Sequence, residues 1–132
     1  MTLDVRSMYS SDQAILLAAD EAGENTLDQN RVRPLGGGSF TILRLMVGTA
    51  FAGLDSGMRA YIQSDSENTF STTPREEASS PILLPARLTA GAIIDIPLPR
   101  GNPDLDWQAI SRIWYDLISE VATAGTISAG LI

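Results

Sequence analysis

Histidine, cysteine and lysine are all absent from this 132-residue chain, and its nine cations are all arginine. Each absence removes chemistry. Without histidine the chain lacks the side chain whose unperturbed pKa lies nearest neutrality, the commonest general base and metal ligand. Without cysteine and lysine it lacks the usual activated nucleophiles besides serine and threonine, and a serine nucleophile would have no imidazole or amine to activate it. Zinc sites of the Cys/His kind are excluded, as are disulfides, so stability does not depend on an oxidising compartment. Paired carboxylates, arginine and tyrosine are what remain for catalysis. Sixteen acids make a coincidental pair easy to find but give no reason to credit one as glycosidase machinery. The expectation is a protein that is not an enzyme and has no catalytic residues, no cofactor and no small-molecule substrate.

Positive charge is also scarce. The net charge is −7 and the arginines are spread singly, with Arg31 and Arg33 the closest pair, so the basic face that nucleic-acid binding needs is missing. Long apolar runs are missing too. The opening Met1–Arg6 has no apolar segment of the signal-peptide kind, and nothing approaches the roughly 18 consecutive apolar residues of a membrane span. A soluble chain made in the cytoplasm is expected, with neither nucleic acid nor membrane as partner. An apolar content of 44% against 19% charged residues is that of a folded domain, and the length fits one domain over 1–132.

What is present is period-two alternation between dense turn signals. In Gly57–Ser64, Met58, Ala60 and Ile62 share one face while Arg59, Tyr61 and Gln63 take the other, the pattern of a half-buried strand. Phe40–Val47 is more uniformly apolar and reads as a central strand. Ala92–Pro97 is short and β-branched with Pro97 closing it, and Gly125–Ile132 alternates again. Gly36–Ser39, Ser64–Asn68, Ser71–Glu77 and Pro99–Pro103 read as loops or turns. Many short strands so punctuated predict an all-β sandwich or barrel.

Two segments pull toward helix. Asp12–Ala22 is rich in helix formers, with Ser10 and Gln13 spaced as a capping box and Gly23 as a stop. Over 104–122, Asn102 and Pro103 offer a cap and first turn, while Leu105, Ala109, Ile113, Leu117 and Val121 recur every four residues. The competing reading of the second segment is a strand over 112–118, with Ile113, Tyr115 and Leu117 on one face.

Candidate sites are few. Asp104 and Asp106, or Asp65, Glu67 and Asn68, are suggestive of a hard cation, but calcium wants about six to eight oxygens and nothing nearby supplies the rest, so no metal site is expected. Gly36–Ser39 is no phosphate loop, since the lysine of that motif is missing. Trp107, Trp114, Tyr61 and Tyr115 have the rings needed to stack on sugars, although such residues more often fill cores or anchor interfaces.

One longer pattern stands out. Leu88–Gly101 (LTAGAIIDIPLPRG), then Arg112-Ile113-Trp114-Tyr115, then Thr123–Leu131 (TAGTISAGL) together resemble the jelly-roll capsid cement, or decoration, proteins of tailed bacteriophages. Leu3-Asp4, Ser11–Ile15 and Asn25–Asp28 are similar to the opening of that family, so the resemblance spans most of the chain. It implies a jelly-roll-like antiparallel β-sandwich with an extended N-terminal arm over about 1–10. It also implies a place on the exterior of the virion capsid, where the major capsid protein is the partner and neighbouring copies are clamped together. Association with itself is implied as well, a homodimer ahead of a trimer. The family carries no catalytic motif. The resemblance favours strands in both ambiguous segments, and a short helix near 104–110 followed by a strand accommodates both readings of the second. Segments 1–10 and 66–80, low in apolar residues, are expected to become ordered only against the shell. The alternative is a carbohydrate-binding, host-adhesion β-sandwich on the virion.

Overall fold

The computed structural model describes residues 8–15, 20–24, 26–28, 42–65, 70, 75–97, 110–118 and 120–132. Among the described residues nine strands follow in order: β1 (Met8–Ala14), β2 (Asp20–Ala22), β3 (Leu27–Asp28), β4 (Ile42–Val47), β5 (Arg59–Asp65), β6 (Arg75–Ser79), β7 (Ile93–Pro97), β8 (Ile110–Asp116) and β9 (Thr126–Leu131). The helical element among the described residues is one 3₁₀ turn at Pro85–Arg87, entered through a proline. No helix among those residues is long and apolar enough to cross a membrane.

The strands form two antiparallel sheets. One has the order β1-β9-β4-β7; the other runs β2-β8-β5-β6, with β3 also paired to β8. Because β2 meets β8 at Trp114–Asp116 and β3 meets it at Ile110–Ser111, the two behave as one interrupted strand along a single edge. Apart from that continuation and the β5–β6 hairpin, every connection crosses from one sheet to the other. This is the strand order of a jelly roll, so the chain is an all-β sandwich of that connectivity.

Period-two patterning explains which side chains fill the interior. β4 sends Leu43, Leu45 and Val47 inward, β9 sends Ile127, Ala129 and Leu131, and β7 sends Ile94 and Ile96. The facing sheet contributes Ala60 and Ile62 from β5 and Ile113 and Tyr115 from β8. Phe51, Leu54, Met58, Leu83 and Leu88 close one end from the loops. The expected Met58/Ala60/Ile62 face is the buried one. β4 is central as expected, but its other face is only half covered: Ile42, Arg44 and Met46 are partly exposed.

Several local expectations are corrected. Asp12–Ala22 is not a helix: β1 and β2 occupy its described ends, and residues 16–19 lie outside the described residues. Ser10 and Gln13 do bond side chain to side chain, at 2.9 Å, but within a strand whose register against β9 shifts twice and where Asp12 takes a φ of 49°. Helix propensity lost because Tyr9 and Ser10 bury fully against the other sheet. Gly23 is no helix stop either; its N–H donates to Ile113 O at 2.8 Å, and a side chain there would strike Ile113. In the second ambiguous segment the strand wins over 110–116, and a turn begins at Leu117. Ile110, the last residue of the suggested short helix near 104–110, is a strand residue; 104–109 lie outside the described residues. Met8–Ser10 of the expected N-terminal arm belong to β1, and 1–7 lie outside the described residues. Arg75–Glu77, read as loop, are strand residues of β6, and Ser64 and Asp65, read as turn, end β5. Within 66–80, residues 75–79 form β6. Residues 36–39, 66–69, 71–74 and 98–103 lie outside the described residues.

Candidate interaction surface

Alternation along β5 and β8, with their mutual register, builds the most chemically distinctive surface. The pairs Arg59–Asp116, Tyr61–Trp114 and Gln63–Arg112 stand directly across from one another on the outer face of the sheet. Tyr61 and Trp114, two of the candidate aromatics, are thereby brought side by side. Tyr115 points the other way, into the core, and Trp107 lies outside the described residues. The Arg112 guanidinium carbon sits 4.1 Å from the Phe70 ring centre and 4.7 Å from that of Trp114. Arg59 lies 4.9 Å over Tyr61. Stacking of this kind contributes on the order of 0.5–2 kcal/mol per pair, rising as water is excluded.

Hydrogen bonding fixes the same cluster. Arg112 Nε donates to Gln63 Oε1 at 2.8 Å. Partial burial pulls the Arg112 pKa down, opposed by Tyr61 and Asp65, and the group stays cationic. Burial is also the main cause that raises the Tyr61 phenol, with Asp116 next. Tryptophan, tyrosine and arginine, half-buried and held by neighbours, are the residue types that anchor protein interfaces. The alternation put Arg59, Tyr61 and Gln63 on one outer face in the sequence. Arg112 stacking on Phe70 was missed, because no local pattern links residues that far apart.

The cation suggestions find no support among the described residues. Asp65 is buried, while Glu67, Asn68, Asp104 and Asp106 lie outside those residues. No group of three or more acids among the described residues is placed to hold a metal ion.

A second feature ties the two sheets together behind this face. Tyr9 Oη and Ser111 Oγ share a hydrogen bond at 2.9 Å, and Ser10 Oγ and Tyr115 Oη share one at 2.8 Å. Each pair joins β1 of one sheet to β8 of the other, with the roles of serine and tyrosine exchanged. Ser10 Oγ donates its one proton to Gln13 Oε1, so Tyr115 is the donor to Ser10. Gln13 Nε2 in turn donates to Glu21 Oε2 and to Ala22 O, both at 3.0 Å, and Gln13 Oε1 accepts from the Glu24 N–H at 2.8 Å. The clasp thus runs from β1 to both strands facing it. Tyr115→Phe removes one bond but leaves Ser10 paired with Gln13, so a loss of about 1 kcal/mol is expected, measured by denaturant unfolding. A loss several times larger would mean that the network acts as one unit.

No protein-family model matches the chain, and no curated protein matches it.

Proposed function

We propose that this chain is a structural protein of a tailed-phage virion, a cement protein that binds the outer capsid surface and clamps neighbouring copies of the major capsid protein. The observation that carries the reading is the jelly-roll strand order, with the three resembling stretches falling on β7, β8 and β9 of that fold. A scaffold of this type offers a fixed surface, and each contact can be modest because a repeating shell links many of them. The Arg59/Tyr61/Gln63/Arg112/Trp114 face has the composition of an interface anchor and is the first candidate for the capsid contact. A net charge of −7 suits an exterior position, away from packaged DNA.

The carbohydrate-binding alternative draws on the adjacent Tyr61 and Trp114 rings. Against it, each ring already has one of the protein's own guanidinium groups stacked over it, and a sugar would have to compete with that stacking. Thermal challenge of purified capsid shells, with and without added chain, tests the proposal. Saturable binding at a fixed ratio with a raised shell melting temperature is expected, and Trp114→Ala should weaken binding by tenfold or more, about 1.4 kcal/mol or above. Binding that free sugar abolishes, with shell stability unchanged, would favour the adhesion reading.

A further inference from the structure

Three neighbours hold the Arg112 guanidinium in place. Phe70 and Trp114 lie against it at 4.1 and 4.7 Å, and its Nε donates to Gln63 Oε1 at 2.8 Å. Arg112 and Trp114 belong to β8, Gln63 belongs to β5, and Phe70 comes from the connection between β5 and β6. Phe70 is buried although its φ is 52°, a left-handed conformation that an aromatic residue rarely adopts. Backbone of this kind persists only where its surroundings over-determine it, and here it sets a ring on the arginine.

The far edge of the guanidinium is open. Neither Nη of Arg112 has a hydrogen bond or an ion pair among the described residues, and neither is sealed from water. Arg44, on the outer face of the other sheet, shows the contrast. Its fork already holds a carboxylate of the chain itself, with Nε and Nη2 bonded to the two oxygens of Asp95 at 2.8 and 2.7 Å. In Arg112 the Nε side is taken by Gln63, so the edge left for a ligand is the Nη1/Nη2 pair. The surroundings limit what can bind. Asp116 stands across from Arg59 and Glu76 across from Gln63, and the chain as a whole carries −7. A polyanion meets repulsion there, whereas a single planar carboxylate matches the fork.

We propose that the Nη edge of Arg112 is a receptor for one side-chain carboxylate of the partner protein. The carboxylate accepts from both Nη groups at once. The two rings and Gln63 fix the fork before the partner arrives, so little side-chain freedom is lost on binding. The rings also shield the guanidinium from water, which strengthens the pair. The identity of the partner rests on the capsid reading; the carboxylate site rests on the geometry of Arg112.

Two measurements test it, one of them without a capsid. Acetate is titrated into the full chain at constant ionic strength, and the assigned arginine side-chain ¹⁵N signals are followed. Of the nine arginines, Arg112 should show saturating shifts, half-complete at roughly 10–100 mM, the range of one charge-assisted pair. Inorganic phosphate should bind no better. In shell binding, Arg112→Lys keeps the charge but loses the fork, and should weaken binding by tenfold or more with an unchanged circular dichroism spectrum. Arg87→Lys, on the 3₁₀ turn, should leave binding unchanged. Acetate shifts at Arg112 that stay linear, phosphate binding tighter than acetate, or shell binding that Arg112→Lys leaves intact would overturn the inference. Saturation at Arg112 in a chain that does not bind shells would support the carboxylate site and remove the capsid reading. If Arg112→Lys fails to fold, the titrations of wild type decide.

Discussion

Raising the pH from about 10 to 12 should cost this protein roughly 5 kcal/mol of folding stability, enough to unfold a domain of ordinary stability. The cause is the clasp. Tyr9 and Tyr115 are fully buried, and burial raises both phenols well above their ordinary value, against the opposing effect of the bonds to Ser111 and Ser10. Below about pH 10 both phenols are protonated in the folded and unfolded states alike, and their contribution is fully present. Above it the unfolded chain releases two protons that the folded chain keeps, so the unfolded state gains at roughly 3 kcal/mol per pH unit. A raised folded pKa thus gives stability that is present at neutral pH and lost as pH climbs. The sequence makes the experiment clean. With no lysine or cysteine, tyrosines are the side chains that titrate in that window. Denaturant unfolding across the window, with tyrosinate absorbance followed in parallel, should show Tyr61 ionising first and the other two only with loss of fold. Tyr9→Phe/Tyr115→Phe should flatten the alkaline limb. An unchanged limb in that double variant would remove the clasp from the account.

Gly57→Ala is expected to be the most damaging single methyl addition, destabilising by about 3 kcal/mol or more through left-handed strain and overpacking together. Gly57 has a φ of 84°, and an added Cβ would fall on the Leu83 carbonyl oxygen, backbone that cannot swing aside. That carbonyl accepts from the Met58 N–H at 3.0 Å, and Leu83 N–H donates back to Met58 O at 2.7 Å. The bridge closes the end of the core where Met58 and Leu83 are both fully buried. Gly91 is the control. Its φ of 82° is nearly the same, but its Cβ would meet open space, so Gly91→Ala should cost only the backbone term, on the order of 1–2 kcal/mol. Equal denaturant midpoints for the two variants would show that the Leu83 contact does not matter.

The core was largely legible in the sequence, because a sandwich buries alternate residues and alternation is visible in one dimension. Met58, Ala60 and Ile62 show it, as do Ile94 with Ile96 and Ile127 with Ala129. Where local and tertiary preferences conflict, the sequence misleads. Helix formers fill Asp12–Ala22, yet Tyr9 and Ser10 find hydrogen-bond partners 102 and 105 residues away, and those long-range bonds outweigh a few tenths of a kcal/mol per residue of propensity. Edge strands are hard to see for a related reason. The charged run Arg75-Glu76-Glu77 makes a segment look like a loop, yet it lies on β6 at the end of its sheet. The candidate surface was half legible: Tyr61 and Trp114 were visible as aromatics on alternating segments, but their adjacency depends on the β5–β8 register, which no local pattern encodes.

Cryo-electron microscopy of phage particles assembled with and without this chain tests the central claim most directly. Jelly-roll density is expected at fixed positions on the outer capsid surface, bridging neighbouring major capsid subunits and missing from the particles made without the chain. Identical shells in the two maps, or density confined to the tail, would contradict it.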